Sequence, residues 1–176
     1  NSHSNADAVA ELGVSLTLDL IKKVSYHDRK MRVGNWNRRQ QPLNLKSGMV
    51  KGSVICMLGC GNIGYGISII MKGFGANIIA VDDTRDADSI VSRVYRRDKM
   101  REALTWADIV ICTLPLTADT KSLFNSKNIS CFKDHVSVVN MSRAEIFDES
   151  AVFYALAAGK LAGFAADIWW SAPKRG

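Results

Sequence analysis

Val54-Ile55-Cys56-Met57-Leu58-Gly59-Cys60-Gly61-Asn62-Ile63-Gly64 is the stretch that decides the fold. Five uncharged apolar residues read as a buried strand, and Gly59, Gly61 and Gly64 form a G-x-G-x-x-G that opens a helix over 63–74. Gly59 permits the tight turn, Gly61 lets backbone approach a pyrophosphate, and Gly64 lets the helix close on the strand. The helix N-terminus favours the negative charge. The same glycines would serve any sharp strand-to-helix turn, so the context decides. A second apolar run, 77–81, ends at Asp82, near the spacing of about 20 residues at which such loops are followed by an acid.

Outward from this loop, short β-branched-rich runs at 54–58, 77–81, 109–114, 136–140 and 163–168 alternate with helical stretches at 63–74, 99–107, 126–132 and 148–158. Asp148 is the N-cap of the last helix and Gly159 its stop. The alternation predicts βαβ units and an α/β fold, a doubly wound parallel sheet of Rossmann type. Upstream, 5–22 reads as a helix with Ser4 or Asn5 as N-cap and an apolar face of Val9, Leu12, Leu16, Leu18, Leu20 and Ile21. Residues 23–51 are basic and amide-rich, with Gly34, Pro42 and Gly48 as breakers and Trp36 as a lone anchor. The expected organisation is one domain: a leading helix (1–24), a partly helical connecting segment (25–51) and a core (52–170).

Composition agrees. At 176 residues and 47% hydrophobic, the chain can bury one core, and a second domain of ordinary size would not fit. Cys56, Cys60, Cys112 and Cys131 have neither metal-knuckle spacing nor the density of a disulfide scaffold. They predict a reducing, cytoplasmic setting and no metal site. No apolar run approaches the roughly 20 residues of a membrane span, and no export signal is read at the start. The net charge of +6 draws attention to Arg93, Arg96, Arg97, Lys99 and Arg101. Asp98 and Glu102 interrupt that run and no aromatic pattern accompanies it, so it reads as a solvated helix face and no nucleic-acid partner is expected. A basic balance also suits a protein that binds an anionic cofactor and an anionic acid.

Asp82 would accept hydrogen bonds from the adenosine ribose hydroxyls and repel a 2′-phosphate, which favours NAD over NADP. Asp83 adds to the repulsion. Arg85 is the nearby residue that could take up a phosphate, although an arginine in a turn is usually solvated.

Further motifs carry a resemblance. Asn5-Ala6-Asp7-Ala8-Val9-Ala10-Glu11, Gly73-Phe74-Gly75, the segment Ile109-Val110-Ile111-Cys112-Thr113-Leu114-Pro115-Leu116-Thr117 with Thr120, Val138-Val139-Asn140-Met141-Ser142-Arg143 followed by Asp148-Glu149-Ser150-Ala151, and Gly159-Lys160-Leu161-Ala162-Gly163 leading to Asp167 occur in order. The chain thereby resembles the D-isomer-specific 2-hydroxyacid dehydrogenases, in their NAD-binding domain, along nearly its whole length. The resemblance implies Asn62 and Ile63 at the pyrophosphate, Asp82 at the ribose, and Leu114, Pro115 and Thr120 along the cleft. It implies Met141 and Ser142 beside the nicotinamide and Asp167 at its carboxamide. Arg143 is the implied catalytic residue, since a guanidinium can fork onto the carboxylate and carbonyl oxygens of a 2-oxoacid. A structural ion pair with Asp148 or Glu149 is its other reading.

The chain departs from the family in three ways. Ala144 stands where the family has glycine, which bears on the local backbone. The glutamate and histidine that partner the arginine have no counterpart here, since His3, His27 and His135 do not match the histidine's place. The substrate domain is missing. The expected function is interconversion of a 2-hydroxyacid and a 2-oxoacid with NAD, by a homodimer paired through the coenzyme domain and its apolar leading helix. The alternatives are a non-catalytic NAD-sensing module like the corepressors of this fold, and a formate dehydrogenase-like branch, to which the tail from Asp167 to Lys174 is similar.

Overall fold

The computed structural model describes residues 2–35 and 47–171, so Trp36, Pro42 and the tail 172–176 fall outside it. Its strands are β1 (Val54–Leu58), β2 (Asn77–Val81), β3 (Val91–Tyr95), β4 (Ile109–Cys112), β5 (Val136–Asn140) and β6 (Leu161–Ala166). They form one sheet in the order β3-β2-β1-β4-β5-β6, and every neighbouring pair is parallel. The helices are α1 (Ser2–Lys22), α2 (Val24–Arg32), α3 (Asn62–Gly73), α4 (Met100–Trp106), α5 (Ser126–Ile129) and α6 (Glu149–Ala157). Sheet order reverses at β1, and this doubly wound arrangement is the one expected.

Alternation along each central strand divides the core in two. On β1, Cys56 and Leu58 join the layer that holds Val110, Cys112, Leu104, Phe124 and Phe147, on the side of α4, α5 and α6. Ile55 and Met57 join Ile78, Ala80, Ile111, Val14, Ile67 and Met71, on the side of α1 and α3. Both faces are covered, which is why these strands read as continuous apolar runs. Burial pushes the Cys56 and Cys112 thiols up to about 12 and raises that of buried Cys60, while Cys131 is partly exposed. Among the described residues no helix is long and apolar enough to cross a membrane, and no cluster of side chains could hold a metal ion.

Several expectations are corrected. The basic run is not a helix face: Arg93 lies on β3, an edge strand, with its guanidinium 4.6 Å from the Tyr95 ring centre and 3.5 Å from the Glu102 carboxylate. Arg96 lies beyond the strand, Arg97 and Lys99 are in a 3-10 turn, and only Arg101 is on α4, which begins at Met100. Neither Ser4 nor Asn5 caps α1, which already runs from Ser2. The helix expected over 126–132 is one turn, with Asn125 Oδ1 accepting from the Lys127 and Asn128 amides. The apolar face of α1 is not a free stripe. Ala10, Val14 and Ile21 are buried, and Val9, Leu16, Leu18 and Leu20 pack against the same core layer, so this face is used inside the domain. Lys23, at φ 59°, breaks α1 from α2 and starts the partly helical connection.

Candidate active site at the carboxyl ends of the strands

Because sheet order reverses between β1 and β4, the loops after these strands diverge and leave a crevice at their carboxyl ends. The candidate residues follow the carboxyl ends of β1, β2, β4, β5 and β6. A hollow of about 340 Å³ at the opposite end is lined by Lys23, Asp108 and His135. Asp108 there already accepts the Val54 amide at 2.9 Å and Lys133 at 2.6 Å. His135, at φ 60°, donates its backbone N–H to Lys160 and is a turn residue.

The phosphate loop shows why its glycines stand where they do. Gly59 has φ 81°, a conformation costly for any side chain. A Cβ on Gly64 would stand 2.5 Å from the Gly59 carbonyl oxygen and 2.8 Å from Thr113 Oγ1, so the helix closes on its own turn and on β4. A Cβ on Gly61 would meet nothing within 4 Å. Gly61 faces a cleft of about 270 Å³, lined also by Asn62, Ile63, Thr113 and, from α1, Ala6 and Val9. Among the described residues no carboxylate lines this cleft, and it opens at the N-terminus of α3, which fits a pyrophosphate. Thr113 Oγ1 donates to the Gly59 carbonyl at 2.8 Å and pins the loop to β4. Sequence reasoning gave neither Thr113 nor Ala6 a role.

At the next corner both oxygens of the Asp82 carboxylate are bonded, Oδ2 by a single donor. Oδ2 accepts the Cys60 amide of the phosphate loop at 2.8 Å, and Oδ1 accepts from the Thr84 amide, the Thr84 hydroxyl and the Arg85 amide. Burial alone would push its pKa up, but these donors outweigh it and hold the carboxyl down at about 2. Asp83 is turned away, accepting the Arg97 amide at 2.9 Å. Arg85 is not a solvated turn arginine: it lies against the Tyr65 ring and pairs with Asp88.

The loop after β4 runs from Leu114 to Thr120. Leu114 packs beside Gly59, and Pro115 is exposed. The Thr120 hydroxyl donates to the Pro115 carbonyl at 2.6 Å and accepts from the Thr117 amide, so it shapes the loop from within. Beyond β5, Met141 is buried near Gly13 of α1, and the Ser142 hydroxyl donates to the Leu114 carbonyl, joining the β4 and β5 loops. Asp167 is exposed, and its amide donates to the Asn140 carbonyl at 3.1 Å.

Arg143 is exposed at the end of this turn with φ −118° and ψ 145°. Among the described residues no carboxylate lies within 4.0 Å of its guanidinium. Asp148, its expected alternative partner, caps α6 by accepting the Ala151 amide at 2.7 Å. What holds the turn is Asn140, 1% exposed, whose Oδ1 accepts the Ser142 amide and whose Nδ2 donates to the Arg143 carbonyl, both at 3.1 Å. Asn140 was legible only as part of a motif. Ala144 sits in the following 3-10 turn without a positive φ, so the glycine expected there is not required.

Residues 14–175 match the model of the D-isomer specific 2-hydroxyacid dehydrogenase NAD-binding domain. A glyoxylate reductase of Thermofilum pendens is 30% identical over 95% of this chain and 50% of its own length. D-3-phosphoglycerate dehydrogenase 2 of Arabidopsis thaliana is 29% identical over 97% of this chain and 27% of its own length. The solved structure of an NAD-dependent formate dehydrogenase from Staphylococcus aureus in complex with NAD superposes with a TM-score of 0.87 at 28% identity, covering 98% of this chain and 52% of that one. The chain thus spans half or less of the length of these two relatives. With a G-x-G-x-x-G crevice at the sheet's switch point and a family match over nearly all its residues, the chain belongs to the NAD-binding domain family of the D-isomer specific 2-hydroxyacid dehydrogenases, and its cofactor is NAD.

Proposed function

We propose that the complete protein interconverts a 2-hydroxyacid and a 2-oxoacid by hydride transfer, with Arg143 gripping the acid. The carrying observation is an arginine just past the carboxyl end of β5 that no carboxylate neutralises among the described residues. Arg85, Arg96 and Arg97 each pair with an aspartate, whereas Arg143 stands exposed with no carboxylate within 4.0 Å among the described residues. Its two-pronged fork suits a substrate carboxylate and the adjoining oxygen, and its charge favours the negative charge that grows there.

In this reading the backbone and side chains around Gly59, Gly61, Asn62, Ile63 and Gly64 hold the pyrophosphate. Asp82 takes the ribose, Leu114, Pro115 and Thr120 border the cofactor, and Met141, Ser142 and Asp167 border the nicotinamide, which carries the hydride when bound. Reduction also needs a proton donor, a role this reading leaves to the complete protein together with the substrate domain. The protein works in the reducing cytoplasm, in keeping with four free thiols. It pairs as a homodimer through the coenzyme domain, whose exposed apolar residues include Leu12 on α1 and Val24 and Met31 on α2.

The test is steady-state reduction of a panel of 2-oxoacids, with formate oxidation assayed alongside, by wild type, Arg143→Lys and Arg143→Ala. Turnover should fall about 10²- to 10³-fold in Arg143→Ala. Lysine should be impaired too, because it lacks the planar fork. NAD affinity should change little. Near-normal turnover in Arg143→Ala would refute the role. NAD binding by wild type without turnover of any acid would instead favour a non-catalytic NAD sensor.

A further inference from the structure

Around the Asp82 corner the guanidiniums are neutralised in pairs: Arg85 with Asp88 at 2.9 Å, Arg96 with Asp86 at 3.0 Å and Arg97 with Asp119 at 3.3 Å. Arg85 is the one beside the phosphate loop. Its Nη1 points at the Cys60 carbonyl, 3.4 Å away, and Asp82 holds the amide of that same residue. The plane of the guanidinium lies against Tyr65, with Cζ 3.5 Å from the ring centre.

Asp88 keeps it there. Its Oδ2 accepts both Arg85 Nη2 and the Tyr65 hydroxyl, the latter at 3.0 Å, while Oδ1 accepts the Ile90 and Val91 amides at 2.8 Å. With both oxygens engaged, the carboxylate is anchored to the start of β3 and to α3 at once. The Val91 amide and the Arg85 guanidinium hold its pKa well below the ordinary carboxylate range. Arg85 Nε is buried without a partner. The guanidinium therefore sits in this pose despite a wasted donor, which points to the stack and the ion pair as what fixes it.

We propose that Asp88 is a cofactor-discriminating residue: by clamping Arg85 flat on Tyr65, it withholds the guanidinium beside the phosphate loop from a 2′-phosphate. The inference rests on the NAD assignment and is independent of the reaction catalysed. A 2′-phosphate entering here would face Asp82 and find Arg85 already paired, while Arg96 is taken up by Asp86 and by the Asp82 and Arg85 carbonyls, at 2.9 and 2.7 Å. Exclusion of NADP then has two parts, repulsion by Asp82 and sequestration of Arg85 by Asp88. Removing the first alone leaves the second intact. A brace that served only the β2–β3 connection would affect NAD and NADP equally.

The experiment measures NAD and NADP dissociation constants by calorimetry on the complete protein as wild type, Asp82→Ser, Asp88→Asn, Asp82→Ser with Asp88→Asn, and that pair with Arg85→Ala. Asparagine retains an oxygen for the Ile90 and Val91 amides, so the turn at β3 is preserved. Asp82→Ser should improve NADP binding less than about threefold, and adding Asp88→Asn should improve it a further tenfold or more, the scale of one charge-assisted contact. Arg85→Ala should erase that second gain. In the Asp82 background, Asp88→Asn should leave NAD binding within about threefold of wild type. No gain from Asp88→Asn in the Asp82→Ser background overturns the proposal, and so does a gain that survives Arg85→Ala. Wild-type protein that fails to bind NAD would overturn the cofactor assignment instead, and that is read before any variant.

Discussion

Replacing Asn140 with alanine removes two hydrogen bonds at once, and the two losses are unequal. Ser142 is 6% exposed, so its amide, now bonded to Asn140 Oδ1 at 3.1 Å, would be left in the interior without an acceptor. A buried donor in that state costs about 1–3 kcal/mol. The Arg143 carbonyl, which accepts from Nδ2 at 3.1 Å, belongs to an exposed residue and can turn to water. Its share is nearer 0.5–1 kcal/mol, as for an ordinary exchanged bond. Together they come to about 1.5–4 kcal/mol, a sizeable part of the stability of an ordinary domain. Urea unfolding should show the midpoint falling with an unchanged slope. The turn that sets Arg143 would also be released, so turnover should drop while NAD affinity stays within a few-fold, a split that general loosening of the domain would not produce. Destabilisation below about 0.5 kcal/mol together with full turnover would show that the clamp is idle.

Gly64→Ala brings a Cβ within 2.5 Å of the Gly59 carbonyl oxygen, a backbone atom that cannot swing aside. The phosphate loop must open, and NAD affinity should fall about tenfold or more by calorimetry, on the scale of a 1–3 kcal/mol overpacking strain; an unchanged dissociation constant would contradict the close approach. Asp82 has its pKa lowered in the fold, so the stability it contributes is complete above its ordinary value near 4 and disappears as pH falls toward about 2. The urea midpoint difference between wild type and Asp82→Asn should therefore be largest at pH 6 and shrink by pH 3; a difference that grows on acidification would reverse the sign.

The strands that could be read directly are those covered on both faces. β1 and β4 are apolar throughout, and β2 and β5 are interrupted only by Asn77, Ser137 and Asn140, so hydrophobicity marks them. β3 escaped notice because it is an edge strand, Val91-Ser92-Arg93-Val94-Tyr95, in which only Val91 and Tyr95 are buried. Charge on an edge strand discourages further strands from adding, and that same charge disguised it as part of a helical run. The α1 stripe was visible, but whether it faced a second chain or its own sheet depends on α3 and β6, distant in sequence. At the site, the glycines and Asp82 could be picked out because loop geometry and charge demand particular residue types, whereas Arg143 came only with the family resemblance. Thr113 and Asp88 could not be, and Asn140 was legible only as part of a motif, since each acts by bonding to backbone or side chains that only folding brings near.

The distribution of thiols has a practical consequence. Cys56 and Cys112 are fully enclosed within the sheet, with pKa values near 12, and Cys60 is enclosed in the phosphate loop. Each must come into water and then ionise before an alkylating reagent can attack it. Cys131, partly exposed at the end of α5, has no such barrier. One label should therefore enter the native domain quickly and three slowly, at rates set by how often each region opens. Cys60 would report the phosphate loop while Cys56 and Cys112 report the sheet, so the order in which the slow labels appear would time the fraying of the cofactor crevice against the melting of the core.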